Sequence, residues 1–333
     1  MTLPERYDYA FDPEGDSLPA KVVRRVPAGS RVLELGTGPG AMTRVLAERG
    51  CRVTGIERDE TLAARARPHC ERMIVGDLLA LDWSATLGAE RFERILACDV
   101  LEHLDEPETV LAALPPFLAP EGRLLLTLPN LAHYGVVAAL LQESFDYADK
   151  GLLDRTHERF YTRHSLERLL LATGWIPLQW EANRVDVGAT EFARHWYDLP
   201  ESLRQTLQRH AAELDVYQWL VVAVPANETG WQDRAATEIA ALHERLESAR
   251  REHEALQRSF DEHLASLKEH QKAFAEARAW IADLQREIDE LTRERDHYRS
   301  LYHGVALTPF WRRLVASLHR RCGALLERWN AGR

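Results

Sequence analysis

A glycine-rich turn follows the first strongly apolar segment of the chain. The run Val32–Leu35 leads directly into Gly36, Gly38 and Gly40, and a helical pattern begins after the last glycine. Glycines at this spacing let the backbone approach a ligand closely, since no Cβ atom blocks the contact. Seventeen residues later comes Glu57, after a second apolar run, where a carboxylate can accept hydrogen bonds from both hydroxyls of a ribose. The combination indicates an adenosine-binding site.

Polar residues also follow the third and fourth apolar runs. Gly76 and Asp77 come after the third run, and the segment Ala97–Leu104 ends and follows the fourth. A glycine turn alone is a weak signal, because dinucleotide-binding folds use a similar turn with the fingerprint Gly-x-Gly-x-x-Gly. This chain has Gly-x-Gly-x-Gly instead, a spacing that favours a methyltransferase, and its order over four successive strand ends makes the set specific.

Short apolar runs alternate with helical patterns from residue 31 to about residue 225. Such a rhythm indicates a parallel sheet whose strands are joined by helices. We predict five strands before an insertion and two after it: 32–35, 52–56, 73–75, 94–98, 123–128, 175–180 and 217–224. The segment 183–214 between the last two is too long for a tight turn, and we expect it to cover the sheet or the ligand site.

These residues resemble the class I S-adenosylmethionine methyltransferases, particularly the branch with ubiquinone-biosynthesis O-methyltransferases and methyltransferases of bacterial polysaccharide clusters. The resemblance covers about residues 1–225. It implies a Rossmann-like α/β fold with a seven-stranded sheet whose last strand is antiparallel. It also implies a cofactor-binding role for the three glycines and for the residues that follow strands two and three: Gly36, Gly38, Gly40, Glu57, Asp77 and Leu78. Glu57 would bind the ribose, and Asp77 would lie near the adenine amino group.

The same resemblance assigns residues to the methionine end of S-adenosylmethionine. Glu34 would lie close to the ammonium group, and Cys98 with Asp99 would line this end of the site. The alternative for each acid is a solvated loop residue, and for each glycine an ordinary turn.

Methyl transfer from a sulfonium is an in-line displacement that needs alignment in a dry pocket and little acid–base machinery. A hydroxyl acceptor benefits from a general base, for which His157, His133 and His103 are the candidates beyond strand ends. In the polysaccharide-cluster branch, the insertion that contains His157 borders the acceptor pocket. Arg155 and Arg159 in that insertion are candidates for binding an anionic acceptor. A local capping or salt-bridge network that fixes the insertion is the structural alternative for His157 and Arg159, and a surface or cap role is the alternative for His103.

The N-terminal tyrosines have two interpretations. Tyr7 and Tyr9 would close a lid over the site, or they would take part in ordinary packing.

The residues after the predicted sheet follow a different period. No glycine or proline occurs from residue 231 to residue 303, and charged residues dominate. Apolar side chains recur every three and four residues without a break in register from residue 239 to residue 302, which indicates a left-handed coiled coil. The a positions are Ile239, Leu246, His253, Phe260, Leu267, Phe274, Ile281, Ile288, Arg295 and Tyr302, and the d positions are Leu242, Ala249, Leu256, His263, His270, Ala277, Leu284, Leu291 and Tyr298. We therefore predict a homo-oligomer, with a parallel dimer favoured over a trimer.

Histidines interrupt the apolar seam of this predicted coil. His253, His263 and His270 suggest a metal ladder or a pH switch, but polar seam residues commonly set register and oligomer state. The four cysteines, Cys51, Cys70, Cys98 and Cys322, lack metal-ligand spacing. We expect no metal site.

The charge distribution bounds the partners. A formal net charge of -10 argues against nucleic-acid binding, which needs clustered basic residues. Residues 304–333 are the exception, with six arginines against the single Glu327. Within them, 309–329 reads as a basic amphipathic helix that would contact an anionic membrane surface or pack within the oligomer. Free cysteines and the lack of a long apolar segment indicate a cytoplasmic protein, held at the inner membrane if the helix binds lipid.

Three functions are consistent with this organisation. We expect domains at 1–225, 231–303 and 304–333, with a methyltransferase that acts on a hydroxyl or terminal phosphate of a surface polysaccharide such as lipopolysaccharide O-antigen and caps its growth. Its partners would be a glycan or lipid-linked glycan and a glycosyltransferase. One alternative is a small-molecule O-methyltransferase of the quinone-biosynthesis type. The other is a coiled-coil scaffold with a regulatory methyltransferase-like domain.

Overall fold

The computed structural model describes residues 9–210 and 213–301. The chain divides into two compact units, Met1–Glu244 and Arg245–Arg333. The first unit contains a seven-stranded sheet and the candidate site.

The seven predicted strands all form, and they lie in one mixed sheet with the order β3-β2-β1-β4-β5-β7-β6. Strands β1 to β5 are parallel, and β7 runs antiparallel to both of its neighbours. Their bounds are Arg31–Leu35, Arg52–Glu57, Arg72–Val75, Phe92–Cys98, Leu118–Pro129, Trp175–Arg184 and Val216–Pro225. The Rossmann-like α/β fold with an antiparallel last strand is thus confirmed.

Ten α-helices flank or follow the strands in the described part of the chain. In chain order α1 to α10 are Leu18–Arg24, Ala41–Glu48, Glu60–Ala66, Asp82–Leu87, Pro107–Ala113, Tyr134–Leu140, Arg163–Ala172, Ala193–Asp198, Glu201–His210 and Glu228–Leu301. Short 3-10 turns occupy Arg67–His69, Leu101–His103, Pro115–Phe117 and Val187–Ala189. The turn Leu101–His103 lies directly beyond the end of β4 and contributes to the site.

Both faces of the central strands are buried, because side chains alternate between them. Leu33 and Ile95 belong to the larger core cluster, on the side of Trp83, whereas Val32 and Leu96 belong to a second cluster with Leu46 of α2. Buried parallel strands of this kind read as continuous apolar runs, which is why the sequence locates them well.

The insertion between β5 and α7 positions residues on one side of the candidate site. It contains α6 and a short bridge between Ala148 and Asp154. Two backbone hydrogen bonds, from the N–H groups of Glu158 (2.7 Å) and Arg159 (3.1 Å) to the Glu102 carbonyl, join the insertion to the turn after β4. The insertion therefore brings residues distant in sequence to the ends of the parallel strands.

The segment 183–214 packs over this insertion. Phe192 shares a cluster with Val136, Leu152 and Leu153, and the Glu191 carboxylate accepts a hydrogen bond from the Leu152 N–H at 2.8 Å. The segment thus supports the insertion behind the site.

Helix α10 confirms the predicted long helix and begins at Glu228. Its first turns are fixed to the sheet unit by ion pairs of Arg234 with Glu167 (2.8 Å) and of Asp233 with Arg123 (3.4 Å). Most apolar a and d side chains up to residue 281 are exposed in the single chain, among them Ile239, Leu242, Leu246, Leu256, Phe260, Leu267, Phe274 and Ile281. Pairing through this seam stays a prediction.

Several expectations concern residues that the structure does not describe. Tyr7, Tyr302, Cys322 and the basic amphipathic segment 309–329 lie outside the described residues. Within the described ranges, no helix is long and apolar enough to cross a membrane.

Candidate active site

A cavity of about 680 Å³ opens beyond the carboxyl ends of the parallel strands. Residues that follow β1 to β5 line it on one side, and the insertion lines it on the other. Ligands of open α/β sheets bind at this edge, where strand ends and helix starts leave backbone groups to contact them. Nearly every cofactor residue predicted from the sequence lies here: Glu34, Gly36, Gly38, Glu57, Asp77, Leu78, Cys98 and Asp99 line the cavity, while Gly40 supports the turn from behind.

The glycine turn is held close to the neighbouring strand and helix. The Gly36 N–H donates to the Ile56 carbonyl of β2 at 2.8 Å. Gly40 has φ +88°, and a Cβ atom there would lie 2.8 Å from the Ala66 Cα atom of α3. A larger residue at Gly40 would therefore have to displace backbone, so this glycine serves packing as well as turn geometry.

Glu57 organises the turn with both of its carboxylate oxygens. Oε2 accepts from the Gly38 N–H at 2.9 Å, and Oε1 accepts from the Asp59 N–H at 3.0 Å. Asp77 makes a similar local bond, since its Oδ1 accepts from the Leu79 N–H at 2.9 Å. Both carboxylates thus have orientations set by backbone donors, which leaves their remaining lone pairs to a ligand.

The deepest end of the cavity is acidic. Glu34 is buried, and its Oε2 accepts from the Thr43 hydroxyl at 2.8 Å. Burial, and secondarily the charge of Glu57, raise the pKa of Glu34 to about 7, although the Thr43 hydrogen bond opposes the shift. Burial also raises the pKa of the Cys98 thiol well above its usual value. A cationic ligand group would relieve the cost of burying charge here.

Asp99 is held at this end by its backbone and side chain together. Its φ of +53° lies in the left-handed region, and its Oδ1 accepts from the Thr127 hydroxyl (2.9 Å) and the Gln218 amide (3.2 Å). Burial raises its pKa, while both hydrogen bonds lower it. The surrounding structure has to offset the energetic cost of this left-handed backbone conformation.

Tyr9 lines the same cavity near its acidic end. Burial of the hydroxyl, and then the charges of Asp99, Cys98 and Glu34, raise the pKa of Tyr9. The placement is consistent with either a lid or packing.

Three side chains meet at the acceptor end of the cavity: Glu102, His103 and His157, called here the acceptor cluster. One potential ligand atom from each lies within 4.8 Å of the others, and the two imidazole rings are 5.0 Å apart in an edge-on arrangement. The sequence singled out both histidines but not Glu102. Its only sequence signal was its position next to His103 after a strand.

Hydrogen bonds fix the tautomer of both histidines. Nδ1 of His103 lies 3.0 Å from the Thr156 carbonyl, and Nδ1 of His157 lies 3.2 Å from the Leu152 carbonyl. Because a carbonyl oxygen only accepts, each Nδ1 must carry the proton, and Nε2 is the basic nitrogen of the neutral ring.

Glu102 is 1% exposed, and neither of its carboxylate oxygens has a hydrogen-bond partner among the described residues. Burial raises its pKa well above the usual value, and the charge of Asp99 adds to the shift. An unpartnered buried carboxyl costs stability and calls for an explanation in function.

His133 lies away from this cluster and is not among the residues that line the cavity. It is fully buried, and its Nδ1 accepts from the Gly135 N–H at 3.2 Å as the N-cap of α6. Burial lowers its pKa to about 4. These contacts give His133 a helix-capping role instead of a place at the cavity.

The two predicted arginines also point to other partners. Arg155 forms an exposed ion pair with Asp149 at 2.7 Å, and the Arg159 Nε donates to the Asp105 carbonyl at 2.9 Å. Neither arginine lines the cavity, whereas Lys150, which sequence reasoning missed, does. A lysine in an irregular loop gives no pattern that could reveal this role.

Comparison with known proteins decides the family. The model of the family described as "Methyltransferase domain" matches residues 10–179, which is more than half of the chain. The chain belongs to this methyltransferase family. The matched region contains the glycine turn, every cavity acid after β1 to β4 and the acceptor cluster, and it ends within β6.

The methyltransferase has relatives of known name. The ubiquinone biosynthesis O-methyltransferase of Idiomarina loihiensis is 27% identical over 177 residues, which cover 48% of this chain and 71% of that protein. The corresponding enzyme of Psychrobacter arcticus is 28% identical over 156 residues, which cover 44% of this chain and 60% of that protein. Among solved structures, the CcbJ methyltransferase of Streptomyces caelestis is similar at 17% identity, with a TM-score of 0.45 and coverage of 68% of this chain and 96% of that one.

S-adenosylmethionine is the cofactor of this methyltransferase, and the residues of the cavity fit it. Its ammonium and sulfonium groups are cationic, which suits the buried carboxyl of Glu34 and the carboxyl of Asp99 beside it in the cavity lining. A Cβ atom at Gly36 would lie 2.9 Å from a methyl carbon of Val100, so the turn leaves no room for a side chain beside the ligand. The cavity volume of about 680 Å³ lies within the range of small-molecule sites.

Proposed function

We propose that this methyltransferase transfers the methyl group of S-adenosylmethionine to a hydroxyl oxygen of a small organic acceptor. The observation that carries the proposal is a single cavity with two chemically different ends. The carboxyls of Glu34 and Asp99 lie at one end, and two histidines and the buried carboxyl of Glu102 form the other.

We assign the cofactor residues from this geometry. The glycine turn would lie beneath the cofactor, with Glu57 on the ribose hydroxyls and Asp77 with Leu78 at the adenine. Glu34 and Asp99 would face the methionine end. Because these carboxylates are already oriented by backbone or side-chain donors, little ordering is needed on binding.

Bound S-adenosylmethionine supplies an activated methyl group on a sulfonium sulfur. The chain has to align the acceptor oxygen with that methyl carbon, exclude water and remove the hydroxyl proton. The acceptor cluster lies where such a hydroxyl would enter. In the neutral rings of His103 and His157 the proton is on Nδ1, so Nε2 is the nitrogen that can accept a proton. We therefore place activation of the hydroxyl at this cluster.

The relatives favour a small-molecule acceptor over a polysaccharide. The two curated relatives compared above are named for ubiquinone biosynthesis, and aromatic rings adjoin the cluster. The ring centroids of His157 and Phe160 are 6.0 Å apart, and those of Phe160 and Phe145 are 5.9 Å apart. Three expectations rest on the sequence alone and stay predictions: the polysaccharide acceptor, the glycosyltransferase partner and the membrane contact. Much of the sequence pattern behind them lies in residues 304–333.

We also propose that α10 pairs two copies of the chain. Its exposed apolar a and d side chains, such as Leu256, Phe260 and Leu267, form a seam that a second copy would bury. Sedimentation of the full chain should show a dimer, and Leu267→Glu should give a monomer that still binds S-adenosylhomocysteine. Unchanged sedimentation of that variant would contradict the pairing.

An acceptor screen tests the proposed activity. The full chain with S-adenosylmethionine should form S-adenosylhomocysteine with phenols or catechols, and mass spectrometry should find the added methyl on oxygen. Glu57→Ala serves as the inactive control and Glu48→Ala, an exposed glutamate on α2, as the matched one. Turnover with glycans but with no small hydroxyl compound would overturn the small-molecule acceptor and restore the polysaccharide prediction.

A further inference from the structure

The acceptor cluster has the composition of a metal site. We propose that Glu102, His103 and His157 hold a divalent transition-metal ion that binds the acceptor oxygen and lowers the pKa of its hydroxyl. The proposal rests on the O-methyl transfer proposed above and specifies how the cluster serves it. It also departs from the expectation, based on sequence spacing, that the chain has no metal site.

The geometry brings three suitable donors together. One nitrogen or oxygen atom from each side chain lies within 4.8 Å of the others, a separation that a shared ion at about 2.0–2.2 Å from each ligand can bridge with small side-chain rotations. Two imidazoles and one carboxylate form the ligand set that proteins use for catalytic zinc or non-haem iron, with positions left for a substrate. The cluster lines the cavity, so those positions would face the acceptor.

The surroundings of the histidines support ligation. Each Nδ1–H donates to a backbone carbonyl, of Thr156 for His103 and of Leu152 for His157. Metal-bound histidines almost always make this second hydrogen bond, because it fixes the ring and directs the other nitrogen to the ion. The backbone bonds from residues 158 and 159 to Glu102 hold the two halves of the cluster in place.

Glu102 provides an independent observation. Its side chain is 1% exposed, and both oxygens lack a hydrogen-bond partner within the described ranges. Burial of a polar group without a partner destabilises the folded protein, and burial of a charged group does so more strongly. A bound cation would remove this destabilisation, because it supplies a positive charge directly beside these oxygens.

The charge of the cavity also favours a cation. Several carboxyl groups line it, whereas Arg58 and Lys150 are the only arginine and lysine among the described lining residues. In the reaction, an oxygen lone pair forms the new C–O bond as the C–S bond breaks and its electron pair stays on sulfur. The hydroxyl proton leaves to water. A divalent ion assists by stabilising negative charge on the oxygen, and no oxidant or reductant is required.

Metal titration of the full chain tests the proposal. After treatment with a chelator, the protein is titrated with Co²⁺ by visible absorption and with Zn²⁺ by competition against a chromophoric chelator. We expect one tight site per chain. Glu102→Gln and His157→Gln should weaken it by more than the roughly 10- to 100-fold that loss of an outer-shell partner costs. The matched control His164→Gln, an exposed histidine of α7, should retain it.

Binding of S-adenosylhomocysteine to the same samples separates the possible failures. Folded wild-type protein that binds S-adenosylhomocysteine but no metal would overturn the metal site and leave the histidines as bases, with the proposed function intact. Equal metal binding by all four proteins would also overturn it, since the ion would then lie elsewhere, for example on the histidines of α10. Loss of S-adenosylhomocysteine binding by wild type would instead contradict the proposed function.

Discussion

The two ends of the cavity are built in different ways. The cofactor end consists of residues at or directly after strands β1 to β4, and local hydrogen bonds orient two of its carboxylates, from the Asp59 N–H to Glu57 at 3.0 Å and from the Leu79 N–H to Asp77 at 2.9 Å. The acceptor end joins the turn after β4 to an insertion more than fifty residues later, through bonds such as that from the Glu158 N–H to the Glu102 carbonyl.

This difference lets cofactor binding and acceptor specificity vary independently. Local turns at strand ends keep the cofactor site unchanged when loops vary, whereas the insertion can be remodelled for another acceptor without disturbing the sheet. Changes at one end should therefore alter cofactor affinity, and changes at the other should alter turnover.

The largest effect should come from the acceptor end. With an acceptor found by the screen, His157→Gln should lower the rate of methyl transfer by about 10²–10⁴-fold, the range typical of a lost acid–base or polarising group. Affinity for S-adenosylhomocysteine, measured by calorimetry, should stay close to that of wild type. His164→Gln is the control, and an equal loss of cofactor affinity in His157→Gln would show that the two ends are not separate.

The next largest effect should come from Glu57. In Glu57→Ala, the Gly38 and Asp59 N–H groups lose their acceptor. The ribose also loses its proposed acceptor, and at about 1.5–3 kcal/mol for one hydrogen bond to a charged group, cofactor affinity should fall by about tenfold to a hundredfold. Calorimetric titration measures this, with Glu48→Ala as the matched control. Wild-type cofactor affinity in Glu57→Ala would contradict the proposed contact between Glu57 and the cofactor.

A smaller, pH-dependent effect should mark Glu34. Its folded pKa of about 7 lies above the ordinary 4.5, so its contribution to the stability of the cofactor-free protein is complete below about pH 4.5 and is lost as pH rises through 7. The cofactor ammonium prefers the ionised carboxylate. Affinity for S-adenosylhomocysteine should therefore fall by up to about tenfold per pH unit below 7.

Calorimetry at several pH values between about 5.5 and 8 checks this dependence. Glu34→Gln should bind more weakly at the upper pH and should lose the dependence. A wild-type profile that is flat across this window would contradict the placement of Glu34 at the ammonium group.

The smallest effect should come from Arg155. Its ion pair with Asp149 is exposed, and such pairs contribute at most about 1 kcal/mol. Arg155→Ala should leave both cofactor affinity and methyl transfer near wild type, whereas Lys150→Ala, which removes the lysine that lines the cavity, should raise the KM for an anionic acceptor. A large loss in Arg155→Ala would restore the sequence-based assignment.

Sequence patterns predicted the sheet and the residues of the cofactor end, because both depend on local signals. An apolar run followed by a glycine or an acid marks a strand end wherever it occurs. Glu102, by contrast, reads as one charged residue among many, and its burial follows from long-range packing of the insertion. The opposite error affects His133 and Arg155, whose side chains have suitable chemistry but do not line the cavity. His133 caps a helix through the Gly135 N–H, and Arg155 pairs with Asp149.

The helix α10 was predictable from the absence of glycine and proline and from its charged composition. The partner that covers the seam was not predictable, because an apolar a and d pattern is the same for parallel and antiparallel partners and for two or three chains.

Calorimetric titration of S-adenosylmethionine and S-adenosylhomocysteine into the full chain, beside Asp77→Ala and Gly38→Arg, tests the central claim most directly. We predict one site per chain with micromolar affinity in wild type and loss of binding in both folded variants. Absence of binding by folded wild-type protein would contradict the cofactor site, and with it the proposed methyl transfer.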